Sequence, residues 1–76
     1  MNQAVVSGLV EAGKIEEALD AVGDIADPQH AAEAAFHVAT RTGNPDHFKD
    51  AAALASHIED QEKRGALEDA INLAAR

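Results

Sequence analysis

Residues 4–28 read AVVSGLVEAGKIEEALDAVGDIADP, two apolar stripes of helical period with a glycine between them and a proline after them. In the second stripe Ile15, Ala18, Leu19, Val22 and Ile25 recur at three- and four-residue steps. That spacing gathers side chains on one face of an α-helix. In the first, Val5, Val6, Leu9 and Val10 form a stripe over about Asn2 to Ala12, and Gly13 stops the helix. So short a link forces the second helix back antiparallel to the first. Asp27-Pro28 then opens a third helix. Asp is a good N-cap, and proline at the first helical position lacks only an N–H that the helix would leave unbonded.

The same punctuation continues. Gly43 closes the third helix, predicted over Pro28 to about Thr42, and Asn44-Pro45 opens a fourth that reaches Ile58. A fifth begins near Gln61. Ala32, Ala35, Phe36 and Ala39 mark the inward face of the third, with Ala31 and Val38 flanking. Phe48, Ala51, Ala52, Ala55 and Ile58 mark that of the fourth, and Ala66, Leu67, Ala70, Ile71 and Ala74 that of the fifth. No β-type alternation occurs. The expected fold is all-α, with five short antiparallel helices as stacked hairpins in one domain over residues 1–76.

Internal similarity supports the hairpin reading. Ala18…Ile25-Ala26-Asp27 recurs 33 residues later as Ala51…Ile58-Glu59-Asp60, and Ala35-Phe36-His37-Val38-Ala39 recurs 35 residues later as Ala70-Ile71-Asn72-Leu73-Ala74. Gly13 at the first turn is answered by Gly43 at the second. On these residues the chain resembles a tetratricopeptide repeat over about one and a half units. Gly8 matches that family's small residue within the first helix, Gly13 its turn glycine, Ala18 the alanine of the second helix and Pro28 the closing proline. The second unit departs from the pattern, with Val38 where a small residue belongs and Asp60-Gln61 where a proline does. The resemblance implies an α-solenoid fragment that presents a helical surface to a protein or peptide and carries no catalytic residues. It also implies an apolar edge at one end of the array, to be covered by a partner or a second copy.

Composition narrows the function. Aromatic residues are 3% of the chain, Phe36 and Phe48 alone, and alanine takes their place. Alanine favours helix because fixing it costs no side-chain entropy. It buries little area, so close helix packing is expected. There is no cysteine, hence no disulfide and no thiolate metal site. No apolar run reaches membrane-spanning length, the first base is Lys14, and the expected compartment is cytoplasmic. The net charge is −8, and residues 1–38 hold seven acids against Lys14 alone. Direct contact with nucleic acid or an anionic membrane is disfavoured, because both demand cationic surface.

Nothing in the chain reads as catalytic machinery. Ser7 and Ser56 lie mid-helix without a histidine–aspartate pattern, and the glycines are scattered singly rather than gathered in a phosphate loop. No cofactor is expected. His30, Glu33 and His37 share a face of the third helix, but the two histidines lie about 10.5 Å apart along its axis. That span is too long for one ion, so a solvated polar face is expected there and no metal site. His47 and His57 read as surface or capping positions.

The acidic ladder on the second helix is the candidate site. Glu16, Asp20 and Asp24 repeat every four residues, about 6 Å apart along one face, with Glu17 beside them. Like charges at this spacing oppose the helix slightly. The ladder suits a docking face for a partner with a basic surface. The expected function is a non-enzymatic adaptor. One alternative is a small acidic inhibitor of the phage anti-defence type, whose carboxylates imitate phosphates in the cationic groove of a nucleic-acid-binding machine. The other is a self-assembling helical element, a homo-oligomer.

Overall fold

The computed structural model describes residues 3–75, so Met1, Asn2 and Arg76 lie outside it, as does the expected start of the first helix at Asn2. Five helices follow one another: α1 (Gln3–Glu11), α2 (Ile15–Gly23), α3 (Pro28–Thr42), α4 (Pro45–Ala55) and α5 (Gln61–Ala74), with no strand among the described residues. The all-α expectation holds, and the bounds of α3 match the sequence reading.

Glycine geometry sets the hairpin turns. Gly13 takes φ 79°, the left-handed region that other residues enter only at a cost. Its N–H bonds the carbonyl of Val10 at 3.0 Å, and the N–H of Lys14 reaches back to Leu9 at 2.8 Å. This pair of bonds is the Schellman closure, which satisfies two carbonyls at the end of α1. Gly43, φ 68°, closes α3 with a single bond from its N–H to the carbonyl of Ala39 at 2.8 Å. Asp27 and Asn44 cap α3 and α4 as read from sequence, accepting from Gln29 N and Asp46 N, each at 2.9 Å.

Gly8 behaves differently from the family role assigned to it. It is exposed, and a Cβ built there meets no atom within 4 Å, so it provides no close helix approach. The two glycines therefore give opposite outcomes. Gly13→Ala lowers the stability by about 1 kcal/mol, since the space is open and only the backbone resists. Gly8→Ala raises it by about 0.5–1 kcal/mol by lowering the entropy of the unfolded chain. Thermal unfolding followed by circular dichroism reads both, and shifts of the same sign would refute the assignment.

α2 and α4 end before the expected Ile25 and Ile58. Their apolar spacing continues past the backbone helix, because each chain closes with tighter i to i+3 bonds. Asp24 N bonds Ala21 O and Ile25 N bonds Val22 O, both at 3.1 Å; His57 N bonds Leu54 O at 3.1 Å and Ile58 N bonds Ala55 O at 3.0 Å. These pairs are 33 residues apart, as are the caps Asp27 and Asp60. Asp60, not singled out as a cap from sequence, accepts from Glu62 N at 3.0 Å and Lys63 N at 3.2 Å. The 33-residue repeat is thus reproduced in backbone geometry from the end of one hairpin into the next helix.

The 35-residue match is not the structural register. Helix starts at Pro28 and Gln61 place Val38 opposite Ile71, and their exposures agree at 0% and 3%. The residue 35 positions after Val38 is Leu73, which is 68% exposed. In the 33-residue register the buried alanines Ala32, Ala35 and Ala39 of α3 correspond to Gly65, Glu68 and Asn72 of α5, none of them buried. The face of α5 that corresponds to the buried alanine face of α3 is therefore largely polar. Helical arrays end on such faces because nothing packs over them. Ala66 and Ala74, read as inward, are exposed, and Ala70 and Leu67 are half-buried.

α1, α3 and α5 touch in series, while α2 touches α1 and α3, and α4 touches α3 and α5. Among the described residues no Cα of α2 lies within 8 Å of one in α4. The result is a layer of three helices and a layer of two, a packing compatible with helical-repeat architecture. The Cα envelope measures 32 × 28 × 15 Å. Its thin dimension equals two helices packed at about 8–10 Å plus a Cα radius of about 2.3 Å at each side. Alanine makes that approach available: Ala18, Ala32, Ala39, Ala51 and Ala55 are fully buried between the layers and their neighbours. Val6 and Val10 carry the inward face of α1. Val5, expected in the same stripe, is 42% exposed because it sits about 100° around the helix from Val6.

Candidate functional site

The sequence of α2 turns its acids outward. Ala18, Ala21 and Val22 are the residues that it buries, which leaves Glu16, Glu17, Asp20 and Asp24 exposed on the opposite side. Glu16 and Glu17 lie in the first turn, where the helix dipole favours negative charge by about 0.3–1 kcal/mol each. Asp20 and Asp24 have no such support. Asp24 is the C-cap residue, at the end where the dipole opposes an anion. None of the four makes a salt bridge among the described residues, whose ion pairs are His30–Asp27 at 3.3 Å and Arg64–Glu68 at 3.7 Å. The ladder is thus a run of exposed carboxylates without a salt bridge among the described residues, and Lys14, which shares a hollow with Glu16 and Glu17, is the base beside it.

A groove adjoins it. Because α2 and α4 both pack on α3 and stand apart from each other, a hollow of about 330 Å³ opens between them. Leu19 and Gly23 of α2 form one wall, Ala53 and Leu54 of α4 the other, and Ala35 of α3 lies at the floor. Asp50 is its charged lining residue. Sequence reasoning identified the α2 ladder but not the α4 wall. The only local signal was the four-residue step from Asp46 to Asp50; the pairing itself depends on which helices face each other across α3.

His30 and His57 are exposed as read from sequence, whereas His37 and His47 are half-buried. His30 pairs with the cap Asp27, and the Nε2 of His37 is buried with no hydrogen-bond partner among the described residues. His47 places its Nδ1 at 2.8 Å from Thr42 Oγ1, which ties the end of α3 to the start of α4. Thr42 Oγ1 also bonds the carbonyl of Val38 at 3.0 Å, so this histidine helps to hold the α3–α4 turn. Among the described residues no three His, Asp or Glu side chains converge as metal ligands would. No helix among the described residues is long and apolar enough to cross a membrane. Compared with known proteins, the chain matches no family model, no curated protein and no solved structure.

Proposed function

We propose that this chain is a non-enzymatic protein-interaction module of tetratricopeptide-like stacked hairpins, an adaptor that binds a partner with a basic surface through α2. The observation that carries the reading is the ladder itself. Glu16, Glu17, Asp20 and Asp24 are all exposed, none of them is salt-bridged among the described residues, and Lys14 is the one base in residues 1–38. Folding gains nothing from Asp20 and Asp24, and Asp24 opposes its own helix. Complementary charge on a partner turns that cost into association rate and specificity. The same ladder favours a second reading, in which the captured partner is a nucleic-acid-binding machine and the carboxylates occupy its cationic groove.

Affinity capture of the tagged chain at low and high salt tests this, with the triple variant Glu16→Lys/Asp20→Lys/Asp24→Lys as control. A Lys/Arg-rich partner is expected at low salt, lost at high salt and lost with the variant, which itself melts no lower than the parent. Competition between the chain and a nucleic acid for that partner would identify the inhibitor. A partner retained by the triple variant would remove α2 from the interaction, and no partner at either salt would overturn the adaptor.

A further inference from the structure

The α2/α4 groove carries more than the ladder alone. Glu16, Leu19, Asp20 and Gly23 stand at i, i+3, i+4 and i+7, so they share one face of α2. Leu19 and Gly23 line the groove, the exposed Asp20 stands beside them on the helix, and Glu16, one turn earlier, lines a separate hollow with Lys14. On α4, Asp46, Asp50, Ala53 and Leu54 are related by the same steps, and Asp50, Ala53 and Leu54 line the groove. Asp46 and Asp50 are exposed. Both walls thus present an apolar strip beside an exposed carboxylate. Among the described residues no lysine or arginine lines the groove; Lys49, next to Asp50 in sequence, lines a different hollow on the α5 side of α4.

We infer that this groove is a docking site for a basic amphipathic helix of another protein, seated with its apolar stripe against Leu19, Ala35 and Leu54 and its Lys/Arg flanks against Glu16, Asp20, Asp46 and Asp50. The inference rests on the interaction-module reading and names the partner's chemistry. A helix fits better than an extended strand, because walls made of helices offer side chains and no free backbone edge. The lining residues run from Leu19 to Gly23 and from Asp50 to Leu54, about one turn of each helix, so the groove seats a short apolar stripe. A second copy of this chain is a poor occupant. It carries six bases against 14 acids, and the ladder would meet its own charge.

The test titrates the full chain, labelled with nitrogen-15, with a synthetic leucine–lysine peptide of amphipathic helical spacing. Controls are a peptide of the same composition in scrambled order and one with glutamate in place of lysine. Shifts are expected at Leu19, Gly23, Ala35, Ala53 and Leu54, with binding about tenfold weaker to Asp20→Lys/Asp50→Lys. Ala53→Arg, at an exposed wall position, should also weaken binding without lowering the melting temperature. Equal binding of the scrambled peptide, shifts centred elsewhere, or no binding of the amphipathic peptide would each overturn the groove. The two readings fail separately: a captured partner indifferent to Ala53→Arg and Asp50→Lys sinks the groove and leaves the module, whereas a capture without any partner sinks the module and leaves the titration to decide the groove.

Discussion

Phe48→Ala lowers the stability by about 3–5 kcal/mol, the cost of removing a buried aromatic side chain. Phe48 is buried and is one of two aromatic residues in a core otherwise built of alanine, valine and isoleucine. Its ring meets that of Phe36 edge to face, with centroids 6.3 Å apart and planes at 62°. Such a pair contributes about 0.5–1.5 kcal/mol beyond its buried area. Phe48 also lines a hollow with Ile71 of α5, and both belong to the one buried core. Small alanine neighbours cannot move in to refill the space that the ring leaves. A chain of 76 residues has a total stability of about 4–11 kcal/mol, so this loss consumes much of it. Urea titration followed by circular dichroism should show the midpoint falling to low denaturant, with Phe48→Leu retaining most of the parent value. Phe36→Ala costs less, because Phe36 is only half-buried. A Phe48→Ala midpoint close to the parent's would mean that alanine packing, not this ring, supplies the core.

What could be read from sequence divides along the range of the interactions. Asp27, Asn44, Gly13 and Gly43 were legible because a cap or a left-handed turn is settled within a few residues. The acidic face of α2 was legible for the same reason, since the residues it buries determine where Glu16, Asp20 and Asp24 point. Helix ends were less so: Ile25 and Ile58 remain in the apolar pattern after the backbone has left the helix, because packing acts on side chains and not on hydrogen bonds. The repeat was found, but residue likeness suggested two offsets, and the caps, the closing turns and the burial of Val38 and Ile71 decided for 33. Burial on α5 was the least legible. Ala66 and Ala74 have the right residue type and spacing but are exposed, Ala66 at an open hollow shared with Gln29 and Glu33 of α3. The groove between α2 and α4 was hidden because it exists only where two helices stand apart.

Ile71→Ala separates α5 from the rest of the fold. Ile71 is the buried residue of that helix, supported by half-buried Leu67 and by Arg64 Nη1 donating to the carbonyl of Ile58 at 3.2 Å. Removing three carbons from a buried isoleucine costs about 2–5 kcal/mol. An isolated helix of this length is marginal in water, so α5 must take its order from packing. Once Ile71 is truncated, the conformational entropy regained by α5 exceeds what Leu67 and the Asp60 cap return. Native-state hydrogen exchange should therefore show amides of 62–74 losing protection while those of α3 keep theirs, a local opening rather than global unfolding. Leu73→Ala is the internal control: Leu73 is 68% exposed, and leucine and alanine differ little in helix propensity, so exchange should stay at the parent's level. If Ile71→Ala deprotects α3 and α5 together, the two-layer stack unfolds as one unit and α5 is part of its nucleus. If Leu73→Ala costs as much as Ile71→Ala, α5 docks through the opposite face, and the 33-residue register that pairs Ile71 with Val38 is wrong.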